Sequence, residues 1–319
     1  MTDFSTIKGF NVQTLSADPP APGEGQVWYN TTTGTLKGYG QIGTGAWSAG
    51  GTVPASYYGG SYSGTQTAGI VAGGNPGGVV EAYDYNGSAW TEAGDLNQGR
   101  TYTVPTGIGT QTAAQVMGGE EGYLNDTEQY NGTAWTQVNV MGNSMQSRGG
   151  CGNQAGALAT CGIGSPSYSA LVESWDGTNW SAGTAAPEAR GYGMGGGTQT
   201  SALVCGSSPG IATADTWNGS AWTEITSMNS GRHNSARAIT SDSAALIAAG
   251  EPQPAGRGVL TEVWNGSTWT ELADLATAGN KRPGNGTTLA ALVVGNEAPN
   301  NGAVEEWTVP TTTKTFTAS

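Results

Sequence analysis

Catalysis and metal binding need titratable or nucleophilic side chains gathered in one place, and this sequence is sparing with them. It has a single histidine, His233, and three cysteines, Cys151, Cys161 and Cys205. A metal site of several imidazoles, or a nucleophile activated by histidine, would have to rest on His233 alone. Cys161 and Cys205 end apolar runs, where a thiol packs as a small hydrophobe. An odd cysteine count is expected to stay reduced in a chain whose start, MTDFSTIKGF, lacks a basic region followed by an apolar one. The sequence therefore predicts no catalytic, metal or cofactor-binding residues, and a protein that is not an enzyme.

Charge narrows the partners. Eleven Lys and Arg stand against 24 Asp and Glu, a net charge of −13 that repels phosphate backbones and anionic lipid, so nucleic acid is not an expected partner. No run approaches the roughly 18 apolar residues of a membrane helix, and no membrane insertion is expected. Five of the basic residues, Arg100, Arg148, Arg190, Arg232 and Arg282, recur 10 or 13 positions after a tryptophan motif. They could ring one mouth of the fold and bind an anionic sugar or phosphate. They could equally pair with acids that recur with the same period. Pairing is favoured, because a carboxylate buried once per repeat is costly without a bidentate partner.

That periodicity fixes the architecture. NGSAW, NGTAW, DGTNW, NGSAW and NGSTW end at Trp90, Trp135, Trp180, Trp222 and Trp269, at steps of 45, 45, 42 and 47 residues. Six apolar runs closed by glycine precede the motif positions, from Gly69–Gly74 to Ala291–Gly295. Between run and turn, an acid precedes an aromatic by two: Glu81/Tyr83, Glu128/Tyr130, Glu173/Trp175, Asp215/Trp217, Glu262/Trp264 and Glu305/Trp307. A spacing of two places both on one face of a strand. In the first copy Asp84 and Tyr85 read as a two-residue insertion that preserves that face. Asn-Gly or Asp-Gly between aromatic stretches predicts a type I′ hairpin. A Gly-rich stretch before each run, such as 148–156 or 190–200, suits a crowded strand. Four short strands per repeat cannot bury both their faces alone, so the sheets must stack around an axis.

The pattern resembles kelch repeats of the galactose-oxidase-type β-propellers, over roughly residues 44 to 307. Several copies lack the double glycine of that family, as at Cys161-Gly162, Cys205-Gly206, Ala249-Gly250 and Val294-Gly295. The resemblance implies an all-β, six-bladed propeller. The last unit has no turn-plus-tryptophan, while GAWSAG (45–50) is a fourth strand without its first three, so a strand around Trp47 is expected to close the ring. The alternative is seven blades, with GQVWYNTTTGTLKGY (25–39) forming strands of its own and residues 308–316 closing blade six. Galactose-oxidase copper chemistry is excluded by the lone histidine. The recurring tryptophans are read as interblade packing rather than sugar platforms. Tyr57, Tyr58, Tyr62, Tyr102, Tyr123, Tyr168 and Tyr192 fall outside the repeat and are the candidates for an exposed face.

The chain divides into an N-terminal arm (1–43) with a short hairpin, the propeller (44–307) and a C-terminal tail (308–319). DPPAPGEG (18–25) reads as a linker or docking strap. The stretch around Trp28, Tyr29, Asn30, Thr31–Leu36, Lys37, Tyr39 and Trp47 resembles a hairpin module of bacteriophage tail-fibre and virion proteins, and 305–319 resembles the endings of phage kelch-like structural proteins. These resemblances imply a non-enzymatic virion component, a tail fibre, tail tip or capsid decoration. Its arm would bind other virion proteins, its loops a host-surface glycan, and its location would be the virion, assembled in host cytoplasm. A polysaccharide-active enzyme and a bacterial surface or filament subunit are the alternatives.

Overall fold

The computed structural model describes residues 12–22, 25–41, 43–102, 108–120, 122–165, 167–252, 258–297 and 300–316. Most of IKGFNVQTL, part of the 18–25 strap and the last three residues of the tail lie outside the described residues. Among the described residues the structure is all β, with seven four-stranded sheets and one two-stranded pair, Arg232–His233 with Glu251–Pro252. The chain forms two compact units, 46–308 and a smaller one made of both ends, 1–45 with 309–319.

In the larger unit each repeat becomes one antiparallel sheet, for example Gly149–Asn153, Gly156–Thr160, Val172–Trp175 and Trp180–Ala182 in that order. The apolar run is always the second strand and is buried on both faces, as in Ala290–Glu297. The glycines ahead of it let first strands of adjacent sheets crowd together: a Cβ added at Gly149 would lie 3.1 Å from Gly195 Cα. The sixth sheet consists of Gly284–Gly286, Ala290–Glu297, Asn300–Thr308 and, from the other end of the unit, Ala46–Ala49. Trp307 pairs with Trp47 in that register. Residues 308–316 therefore do not supply its fourth strand, as the seven-blade alternative requires; Thr311–Phe316 pairs instead with Thr35–Gln41.

Six directly opposed aromatic pairs repeat this register between third and fourth strands: Tyr85/Trp90, Tyr130/Trp135, Trp175/Trp180, Trp217/Trp222, Trp264/Trp269 and Trp307/Trp47, with ring centroids 4.6 to 5.5 Å apart. Such cross-strand aromatic contacts stabilise the sheet beyond their burial. The indole N–H groups reach into the neighbouring repeat: Trp180 to Thr127 Oγ1, Trp222 to Thr184 O, Trp269 to Thr226 O and Trp47 to Thr261 Oγ1, all near 2.9–3.0 Å. The tryptophans are packing residues, as their repetition implies.

Two local expectations need correction. Only the glycine of each hairpin has positive φ, 91° to 94° at Gly87, Gly132, Gly177, Gly219 and Gly266, which rules out type I′. The preceding Asn or Asp is used through its side chain: Asn86 Oδ1 accepts from the N–H groups of Ser88 and Ala89, as Asp176 Oδ1 does from Thr178 and Asn179. The first repeat also has no insertion. Tyr85 faces Trp90 as Tyr130 faces Trp135, so Tyr83, not Glu81, occupies the acid position of the other five repeats.

Candidate functional site

The five arginines form no free cationic ring. Each is at most 1% exposed and meets the acid of the next repeat: Arg100–Glu128 (2.5 Å), Arg148–Glu173 (3.3 Å), Arg190–Asp215 (2.6 Å), Arg232–Glu262 and Arg282–Glu305 (3.0 Å). The guanidinium also donates to backbone carbonyls, Arg100 to Gly118 O and Arg190 to Gly206 O and Thr213 O. The carboxylate is further held by the loop seven residues after the motif tryptophan, where Asn97, Asn229 and Ala276 each offer a backbone N–H at 2.7 Å. The favoured pairing is what the structure contains, and five of the six recurring acids are engaged in it.

Another periodic set was missed in the sequence. Gly59, Tyr102, Ser147, Tyr192, Asn234 and Lys281, one per repeat, all have φ between 48° and 67°. Each lies 12 residues after its repeat's tryptophan, with Trp47 serving Gly59. Together they line a constriction of about 20 Å³, too small for more than a water molecule. Backbone hydrogen bonds chain them: Ser147 N–H to Tyr102 O (3.0 Å), Asn234 to Tyr192 O (3.1 Å), Lys281 to Asn234 O (2.9 Å) and Gly59 to Lys281 O (2.7 Å). The arginines stand two before or one after a ring residue, which explains their two spacings of 10 and 13. The constant offset of 12 was the signal available in the sequence; without glycine at five of the six positions, nothing marked it as left-handed backbone.

The side chains of this ring carry the candidate binding surface. Lys281 Nζ donates to Tyr102 Oη (2.8 Å) and Glu297 Oε1 (2.5 Å) and stands 5.0 Å from the Tyr102 ring centroid. Burial is the largest single influence on that ammonium and lowers its pKa, but its hydrogen bonds to Glu297 and Tyr102 together hold it above the ordinary lysine value. Tyr102 and Tyr192 meet edge to face at 6.3 Å, and His233 lies 6.0 Å beyond Tyr192. His233 Nε2 is 3.3 Å from Glu251 Oε2; burial pulls its imidazole below the ordinary pKa, and Glu251 opposes this. Glu251 also accepts from Asn280 Nδ2 (2.6 Å) and Asn234 Nδ2 (3.3 Å). Aromatic rings, amides and one lysine thus surround a narrow constriction.

Of the seven tyrosines expected on an exposed face, Tyr123 and Tyr168 are exposed and Tyr58, Tyr102 and Tyr192 half-buried. Tyr57 and Tyr62 are core residues, 2% and 0% exposed, packed with Trp90, Leu292 and Val294. The three thiols are buried, and burial pushes Cys151 and Cys205 up to about 12 and Cys161 to about 11, consistent with inert packing.

The smaller unit has its own surface. Val27–Asn30 and Thr35–Gln41 form the expected hairpin, extended by Gln13–Leu15 in parallel and by Thr311–Phe316. The sequence reading kept the arm and the tail apart; the backbone joins them in one sheet. Asp18 anchors it, accepting from Trp28 Nε1 (3.0 Å), Asn30 Nδ2 and Lys37 Nζ (both 2.7 Å). The Lys37 hydrogen bond, with those of Asn30 and Trp28, lowers its pKa to about 2. On the other face Tyr29, Leu36 and Phe316 stand in one cross-strand row, 41%, 37% and 52% exposed.

Repeated four-stranded antiparallel sheets define the class of this protein: all-β and propeller-like. The solved structure titled "Structure of YjhT" shares that fold, with a TM-score of 0.65 and 14% identity over 82% of this chain and 99% of that one. At that identity the likeness concerns fold alone. No protein-family model matches the chain, and no curated protein matches it.

Proposed function

We propose that the larger unit is a closed six-bladed, kelch-like propeller acting as a non-enzymatic recognition module of a phage virion, with the terminal sheet as its attachment to the particle. Closure is supported by links between the first and last repeats: Gln66 Nε2 donates to Trp307 O (2.7 Å) and Ala291 O (3.3 Å), as Gln154 does between the third and second repeats. Trp47 as the outermost strand of the sixth sheet supports the same reading, because it ties the two ends of the unit together.

The observation that carries the functional reading is the engagement of the repeated carboxylates with buried arginines, which leaves the tyrosine and lysine platform around the sealed axis as the polar surface for a ligand. Stacking on Tyr192 with hydrogen bonds from Lys281 and Asn234 is the chemistry of glycan recognition. The apolar row Tyr29, Leu36 and Phe316 supports protein docking by the terminal sheet. The virion assignment rests on the resemblance of the 28–39 hairpin and the 305–319 ending to phage proteins.

Two measurements test this. Mass spectrometry of purified particles from the source should find the chain at fixed stoichiometry. Glycan-array binding by the full chain should fall about five- to tenfold in Tyr192→Ala, since stacking contributes roughly 1–1.5 kcal/mol. Absence from particles would overturn the virion assignment, and hydrolysis or elimination of the bound glycan would replace the reading with that of a polysaccharide-active enzyme.

A further inference from the structure

The first repeat breaks the pattern of the other five where it meets the sixth. Tyr57 stands two residues before its ring residue, as Arg100, Arg190 and Arg232 do before theirs, and Tyr83 takes the place of the acid. The Tyr57 hydroxyl is shared between Ser61 O (3.0 Å) and Ala72 O (3.3 Å). Pro54, seven residues after Trp47, has no N–H to offer where Asn97, Asn229 and Ala276 donate theirs. A buried pair has thus been exchanged for two aromatic rings, a substitution that stability tolerates.

The exchange is incomplete in volume. A cavity of about 250 Å³ remains, lined by Tyr57, Tyr83, Pro76, Val79, Ala55 and Glu81. It opens to solvent, since Pro76 is exposed and Glu81 and Tyr83 are half-buried. Among the described residues no cation or N–H donor is set against the Glu81 carboxylate. Glu92 stands directly across from Tyr83 in the strand register, adding negative charge at the rim. Burial first, then Glu81, Glu92 and Asp95, raise the pKa of the Tyr83 hydroxyl, so the acids converge on this ring.

We propose that this cavity receives the guanidinium of an arginine side chain from a partner polypeptide, with Glu81 as counter-ion and the Tyr83 ring against its planar face. The precedent is within the chain, where five sister interfaces hold a guanidinium against a carboxylate at the strand position that Tyr83 takes here, two residues from Glu81. The carboxylate selects a cation, the aromatic walls favour a planar, weakly hydrated one over an ammonium, and the net charge of −13 favours a basic partner. The site is independent of the glycan platform.

Titration of the full chain with L-argininamide, followed by tyrosine-region NMR shifts and calorimetry, tests this. Saturable binding is expected, weakened about fivefold for L-lysinamide and lost for L-citrullinamide, which keeps the α-ammonium but has an uncharged side chain. Glu81→Gln should weaken argininamide about tenfold, as expected for loss of a charge-assisted hydrogen bond. Val79→Trp, filling the cavity from its wall, should block binding while circular dichroism stays unchanged. Equal binding of argininamide by the parent and Glu81→Gln chains, or no saturable binding by the parent, overturns the proposal. Stronger binding of the lysine amide would overturn the choice of guanidinium.

Discussion

Five interfaces between neighbouring repeats hold a buried arginine against a buried carboxylate; the interface between the sixth repeat and the first holds Tyr57 and Tyr83. Both solutions fill the space beside the second strand, and both satisfy its carbonyls, with a guanidinium in one case and a phenol in the other. They differ in what remains. An ion pair saturates its own charges and admits no guest, whereas the aromatic version leaves a cavity and a Glu81 carboxylate with no cation against it among the described residues. Where the first repeat relaxes the pattern it opens a cavity, while the other five interfaces keep their pairs.

The sharpest way to break this comparison is to orphan one acid. Arg232→Ala should cost about 3–5 kcal/mol in denaturant unfolding, because Glu262 is left charged and buried, while Arg232→Met with Glu262→Leu should recover most of that loss. A cost below about 1 kcal/mol for the single change would mean that the pairs do not organise the interfaces. A smaller effect tests whether the first and last repeats are joined like the rest. Gln66→Ala and Gln154→Ala each leave two carbonyls short of a donor and should cost about 1–2 kcal/mol alike. A Gln66→Ala cost near zero would show the first-to-last interface to be open.

Smaller still is the effect at the axial ring. Gly59 holds its left-handed backbone without penalty, and Ser147 does not, so Ser147→Gly should gain about 0.5–1 kcal/mol in the melting transition. A loss would mean that the serine side chain contributes more than its backbone costs. The last contrast concerns the terminal sheet. Asp18 has a folded pKa lowered to about 2 from an ordinary 3.8, so its contribution is complete above pH 4 and disappears as pH falls through 2. Amide exchange in Val27–Gln41 should rise over that window, and Asp18→Asn should remove the dependence. An unchanged profile in the variant would place the acid sensitivity elsewhere.

The repeat and the hairpin tryptophans were legible because each carries its own local reason: Asn-Gly for the turn, β-branched and small residues for the central strand, and an aromatic opposite an aromatic. The arginines were legible as partners of the acids, since a period shared by both charges has few other physical explanations. The first repeat was misread because Glu81/Tyr83 imitates the acid–aromatic spacing of its sisters. Only the pairing of Tyr85 with Trp90 shows that the true match lies two residues on. The axial ring was invisible for a related reason: tyrosine, serine, asparagine and lysine in left-handed backbone look like any surface loop until the repeats face one another.

Local sequence thus determined the strands, their turns and the buried charge pairs, because those depend on residues within a single repeat or at a fixed period from it. The strand around Trp47 that completes the sixth sheet was legible too, while tertiary structure alone decided that the two chain ends pair in one terminal sheet and where a repeat without its arginine leaves an open cavity. The first brings together strands from opposite ends of the chain, and the second rests on packing between segments that no spacing along the chain encodes.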